Sequence, residues 1–454
     1  MRRLGHRRRV HRLAWSALLA CQAALVTALL WPALRSAPFT LPTTPARSTI
    51  TVPVFNAWTI WWNADRLWHG LRGYWDAPIF FPERGTFAFS DPQPATFAVA
   101  PWVWASGSPV VAYDVYLWLS LLFNGLASAL CFRCLRVGWP MTVAGASAIV
   151  LLPIVWDNLD VLQLVPLWGV LLTIYALLRF HRRPSAMRAA LVAVAAASVF
   201  MTSVHHGLFF IVSAAPASLW LLHRRLRLRQ WVAIAGGAML FVGLIAPLVV
   251  PMARWHARQN FQRSRQTQAE LSATMADWST VPNRAPVDAR AASRHARALN
   301  PGVMRSVLAL TAAIALVRGR RTRRAALFLL SFGVTAFMLS FGLNLAIGPW
   351  RLWPLLGQIV PPLDSARSLF RFAYFSQLAI LLLATLGATT AVKQLWKLAA
   401  RGANPTANWT NQEPGTIKWP ARIAAVAATL FFCAVLVMET PLPQLRLIGV
   451  PDSR

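Results

Sequence analysis

The sequence predicts an all-α, polytopic integral membrane protein of about 11 transmembrane helices, with interfacial helices in the first outer loop. Three observations predict it. Hydrophobic residues make up 57% of the 454-residue chain and charged residues only 13%, about half the usual share in soluble proteins. Apolar runs near 20 residues recur from one end to the other, and mean hydropathy is +0.48. The arginines sit in short loops between those runs, with no free-standing basic domain. A soluble fold has no interior large enough for that apolar content. The net charge of +31 therefore points to a membrane surface and not to nucleic acid.

The candidate spans are 14–31, 112–132, 141–156, 161–179, 189–204, 208–222, 231–252, 303–317, 325–346, 372–392 and 421–438. The pairs 141–179 and 189–222 are the weakest, and dropping either as a pair leaves the sidedness of the rest unchanged. The first run follows MRRLGHRRRVHR and lacks a small-x-small cleavage site, so it reads as an uncleaved signal-anchor with a cytoplasmic N-terminus. The short loops RRP (182–184), RRLRLR (224–229) and RGRRTRR (318–324) carry the orientation, because their arginines resist translocation. The predicted inner side holds 26 of the 45 Lys and Arg, and 13 of the 14 acids fall outside, all but Glu413. One transmembrane domain over 1–454 then has outer segments at 32–111, 253–302 and 347–371, and a cytoplasmic loop at 393–420. A short outer tail at 439–454 is read as lacking a soluble C-terminal domain.

The first outer segment is rich in tryptophan: Trp58, Trp61, Trp62, Trp68, Trp75, Trp102 and Trp104. Helical spacing puts Phe55, Trp58, Trp62 and Arg66 on one face. That face fits an interfacial helix with indoles at headgroup depth, or a plain aromatic belt.

Few ionisable groups lie deep in the spans. Asp114 falls at the outer mouth of the second, Asp157 and Asp160 in WDNLD at an outer turn, and His205 and His206 at another. Coupled transporters place such groups at mid-membrane, so this pattern favours a site at the outer face. Each candidate has a plainer role beside the chemical one. Asp65 fits an ion pair with Arg66 or Arg72 or a place facing water, Asp91 before Pro92 fits an Asx-type turn, and Asp157 and Asp160 fit helix-cap and turn positions. The histidine pair fits a polar turn. Cys21, Cys131, Cys134 and Cys433 lie in or beside apolar runs and form no disulfide framework; the CFRC at 131–134 lacks a second pair for a metal. The sequon at Asn408 lies on the predicted cytoplasmic side. No phosphate-binding glycine loop, HExxH or GxSxG is present.

Four stretches carry a family resemblance: FNAWTIWW (55–62) with IFFPERGTFAFSDPQ (79–93) and SPVVAYDVYLWLSLLFNGLASAL (108–130); LQLVPLWGVLLTIYALLR (162–179); FQRSRQTQAELSATMADW (261–278) leading into NPGVMRSVLAL (300–310); and the segment 339–388. In order and spacing they resemble the bacterial multi-span GT-C glycosyltransferases and glycosyltransferase-like membrane proteins. The resemblance implies a bacterial inner-membrane enzyme that transfers sugar from a polyprenyl-phosphate carrier to a glycan, lipid or protein acceptor at the outer face. Its partners are then that donor, the acceptor and membrane lipids, with no nucleic acid. No cofactor is assigned; a divalent metal ion stays open, without a ligand set.

The family uses a first-loop carboxylate as base and arginine suits the leaving phosphate. Relatives commonly carry an Asp shortly before the Asn-x-Trp. Aligned on Asn56 and Trp58, that position is Val52 here. The base then falls to Asp91, with Asp65 second, or transfer has been lost. In DSARSLFRF (364–372), Arg367 and Arg371 are expected one turn apart on a helix capped by Ser365, facing the donor phosphate, with Asp364 able to neutralise one of them. Asn56, Trp58, Asp114, Asp157, Asp160, His205 and His206 are the remaining candidates for lining the site. The rivals are a non-catalytic relative that binds lipid-linked glycans or scaffolds envelope assembly, and a lipid or glycan transporter.

Overall fold

The computed structural model describes residues 2–44, 51–222, 226–259, 264–281, 297–319, 322–348, 350–360, 363, 366–403 and 419–450. Among them, twelve helices of at least twelve residues organise the chain. In order they are α1 (Arg2–Ser36), α2 (Thr51–Trp68), α3 (Pro109–Cys134), α4 (Trp139–Val150), α5 (Trp168–Arg182), α6 (Ala186–Thr202), α7 (Val204–Leu222), α8 (Leu228–Arg258), α9 (Val303–Arg318), α10 (Arg323–Ser340), α11 (Ala373–Ala403) and α12 (Trp419–Met438). Every apolar run read from the sequence overlaps one of them, although α4 ends at Val150 within the run 141–156, α5 begins only at Trp168 within 161–179, and α10 ends at Ser340 within 325–346. Among the described residues, eight helical stretches, Pro109–Cys134, Leu228–Arg258 and Leu369–Ala399 among them, are long and apolar enough to cross a membrane. The protein is thus mostly helical, with the character of a multi-pass membrane protein.

Burial separates the helices by role. α11 is central and packs against α4, α9, α10 and α12. Its Leu378, Leu381, Leu382, Ala384 and Ala388 are all buried. α8 is peripheral and packs mainly along α6, leaving Leu228, Val232, Met239 and Val242 exposed. A long helix that is apolar on its outward face belongs in hydrocarbon.

Helix contacts here depend on small residues, as expected where lipid tails compete with side chains. A Cβ on Gly387 would overlap the Leu308 carbonyl oxygen, so α9 and α11 approach as closely as they do because position 387 has no side chain. Polar side chains repair irregular backbone. Between a 3-10 turn at Leu162–Leu164 and the start of α5, the Asn124 amide donates to the Val165 carbonyl at 2.8 Å and accepts the Leu167 N–H at 2.7 Å. Inside a membrane those groups have no water to turn to.

The sequence reading did not foresee one pairing. Strand β1 (Thr40–Thr43), after α1, is antiparallel to β2 (Arg446–Gly449), after α12, with Thr40 opposite Gly449. The segments after the first and last long helices therefore lie on one side of the bundle. β1 also touches α2 and α3, which puts the tryptophan-rich segment on that same side.

Candidate functional site

The site is built by α2 and the loop it holds. α2 buries Asn56, Thr59 and Asn63 on one face. The Asn63 amide donates to the carbonyls of Pro92 (2.8 Å) and Gln93 (3.2 Å) and to the Thr96 hydroxyl (2.8 Å). The Tyr74 hydroxyl donates to Asn63 Oδ1 at 3.0 Å. Gln93 sits in the left-handed region (φ 48°), which turns its side chain back to donate to Asn56 Oδ1 at 2.9 Å. Asn56 in turn donates to the Asp160 carbonyl at 3.2 Å. The loop carrying Asp91 is pinned from α2, and α2 is pinned to the 157–161 turn.

So held, the Asp91 carboxylate meets the start of α7. Ser203 donates its hydroxyl proton to one oxygen, and the Val204 N–H reaches the other at 3.1 Å. A carboxylate at a helix N-terminus satisfies free N–H groups and complements the helix dipole. Burial pushes the Asp91 carboxyl up to about 6, against the lowering effect of the Ser203 and Val204 hydrogen bonds and the Arg371 charge. Burial first, and then the Asp91 charge, push the Tyr74 hydroxyl above its ordinary value.

Arg371 is half-buried in a 3-10 turn, Leu369–Phe372. Its charge acts on both Asp91 and the buried His206 ring. His206 packs on Phe375 (ring centroids 4.8 Å apart) and Tyr374 (5.5 Å), while Phe209 stacks on Phe372 at 4.2 Å. These rings zip α7 to the arginine-bearing turn. The arginine-bearing turn is thereby fixed beside α7, the helix whose start the Asp91 carboxylate caps.

One expectation is corrected. Arg367 and Arg371 do not share a helix. Ser368 lies in the left-handed region (φ 60°), and the turn begins only at Leu369. The segment is drawn off a helical path by long-range partners: Gln268 donates to the Ala366 carbonyl at 3.0 Å, and Leu271 accepts the Phe370 N–H at 3.1 Å. Arg367 is exposed, so only Arg371 carries the link to Asp91. The Ser365 cap and the Asp364 counter-charge lie outside the described residues.

The other candidates divide. Trp58 does stand in the expected ladder, stacked between Phe55 and Trp62, with the Arg66 guanidinium 4.6 Å over the Trp62 ring. Asp65 is ion-paired with Arg66 and lies 3.5 Å from His69 Nδ1, the plainer of its two roles. It also edges an open groove with Trp61, Trp68, Val103 and Trp104. Asp114 and Asp160 are buried, and the charges of both act on Tyr113, a buried residue of α3. Asp157 caps the short helix Pro153–Trp156 and His205 is half-buried at the start of α7. Among the described residues, no three His, Cys, Asp or Glu side chains converge as ligands for a metal ion.

Sequence reasoning missed Ser203, Asn63, Gln93 and Tyr74. Gln93 stood inside a quoted motif and Ser203 two residues before a histidine pair, yet neither adjacency reveals a partner so far along the chain. No family model matches the chain, and no curated protein matches it.

Proposed function

We propose that the chain is a glycosyltransferase of GT-C type in the bacterial inner membrane. It crosses the bilayer eleven times, N-terminus in the cytoplasm and C-terminus outside. It moves a sugar from a polyprenyl-phosphate-linked donor to an envelope glycan, lipid or protein at the outer face. The eleven crossings include α6, α9 and α12 along with the eight longer stretches; α9, at 16 residues, is about 24 Å long.

The observation that carries the function is the Asp91 carboxylate held at the start of α7 by Ser203 and Val204, within range of the Arg371 charge. Asp91 accepts the proton of the acceptor hydroxyl as that oxygen bonds to the anomeric carbon. The bond from that carbon to the phosphate oxygen breaks, and polyprenyl phosphate leaves with the electron pair. Arg371 neutralises the leaving phosphate, which its planar fork fits. A carboxyl near 6 is a more effective base close to neutral pH than one near 4. Its two held oxygens keep further lone pairs for an incoming hydroxyl.

A second role is favoured by one observation: each Asp91 oxygen already accepts a hydrogen bond at the start of α7. With Val52 where relatives carry an acid, Asp91 is then a structural cap in a non-catalytic protein that binds lipid-linked glycans. Proteoliposomes given a panel of polyprenyl-phosphate monosaccharides and an envelope extract separate the two. Transfer predicts release of polyprenyl phosphate, reduced about 100-fold or more in Asp91→Asn. Donor binding without release by the wild type supports the cap.

A further inference from the structure

The Ser203 hydroxyl has one proton and two lone pairs to place. It accepts the His206 N–H at 3.2 Å, which is all that a helix N-cap requires. The chain at Ser203 is extended (φ −161°, ψ 126°), the geometry of such a cap, and the side chain is buried. The proton is left over, and it goes to a carboxylate 112 residues away in sequence. Val204 N–H takes the other Asp91 oxygen, so two donors on adjacent residues fix the plane of the carboxylate.

We propose that Ser203 is a positioning residue for Asp91: it sets the orientation of the carboxylate and holds it in the ionised form that accepts a proton. Its catalytic consequence rests on the role of Asp91 given above, whereas the hydrogen bond acts with or without turnover. The other groups around Asp91 are Arg371 from the 3-10 turn, Tyr74 from the loop after α2, Tyr116 from α3, and His206 from α7 by way of Ser203. Of these only Arg371 adds a fixed charge of opposite sign. Among the described residues, Ser203 is the one uncharged side chain that donates a hydrogen bond to the Asp91 carboxylate. Donation to a carboxylate favours its charged form, so its loss raises the pH at which Asp91 ionises.

The test needs no substrate. A protonated carboxyl adds across a C=N bond of dicyclohexylcarbodiimide, oxygen to carbon and proton to nitrogen, and the resulting O-acylisourea rearranges by acyl transfer from oxygen to nitrogen into a stable N-acylurea, with no leaving group. Mass spectrometry of the Asp91 peptide therefore reports the protonated fraction against pH. Wild type should be half-labelled near pH 6. Ser203→Ala should move that midpoint up by about one pH unit, and Ser203→Thr, which keeps the hydroxyl, should leave it in place. Ser203→Gly provides a second hydroxyl-free variant, because glycine is tolerated as an N-cap. Midpoints in Ser203→Ala or Ser203→Gly that coincide with wild type, in protein that elutes as a single folded species, overturn the proposal. A shifted midpoint in a protein that transfers no sugar removes the base and leaves the positioning intact. An unshifted midpoint in an active protein does the reverse.

Discussion

Arg305 and Glu439 each complete the end of the other's helix. The Arg305 guanidinium, fully buried, donates to the Leu436 carbonyl at 2.8 and 3.1 Å and to the Thr440 hydroxyl at 3.1 Å, closing the C-terminus of α12. The Glu439 carboxylate accepts the N–H groups of Met304 and Arg305, closing the N-terminus of α9, and lies 3.8 Å from the guanidinium. Charge and helix dipole agree at both ends. Arg305→Met strands the carbonyls of Leu436, Val437 and Pro301 and the Glu439 carboxylate, and should cost about 3–5 kcal/mol. Arg305→Lys should recover part of that, since the charge returns without the fork. Thermal unfolding in detergent measures both; a melting temperature unchanged by Arg305→Met contradicts the pairing.

Close helix approach gives a second expectation. Gly387→Ala places a methyl against the Leu308 carbonyl and should destabilise by about 1–3 kcal/mol. Gly236→Ala, on α8 with nothing within 4 Å, should be neutral or stabilising by up to about 1 kcal/mol. Equal melting temperatures for the two variants would show that α9 and α11 do not touch as described.

The β1–β2 pairing predicts sidedness. Cysteines at Thr40 and Gly449, which are register partners, should cross-link to each other. Both should react with a membrane-impermeant maleimide in spheroplasts, since the proposed orientation puts them outside. Labelling only after the membrane is broken reverses the orientation, and absence of the cross-link breaks the pairing.

A pH dependence follows from Asp91. Its folded value near 6 lies above the ordinary 3.8, so between those values the folded protein holds more proton than the unfolded chain. The stability this contributes is fully present below about pH 4 and is lost as pH rises through 6. Asp91→Asn removes that slope. The melting temperature of Asp91→Asn relative to wild type should therefore climb between pH 4 and about 6.5 and then level. A constant difference across that range contradicts the raised value.

Local pattern carried the helices and little of the site. The Phe55, Trp58, Trp62 and Arg66 ladder was legible because a 3.6-residue period alone puts those residues on one face. The apolar runs were legible for a similar reason, since length and hydropathy are properties of a segment by itself. Ser203 with Asp91 and Arg305 with Glu439 were not, because each pair is joined across more than a hundred residues by packing. The Arg367–Arg371 helix failed in the same way. Local spacing favoured it, and Gln268 and Leu271 held the segment in another path.

The pH–rate profile of polyprenyl-phosphate release tests the central claim most directly, measured on wild type and Asp91→Asn in the same proteoliposomes. If Asp91 is the base, the wild-type rate rises with pH through about 6 to a plateau, and Asp91→Asn is lower by about 100-fold or more and has lost that rise. Equal rates in the two proteins, or no release by wild type from any polyprenyl-phosphate sugar, would contradict it.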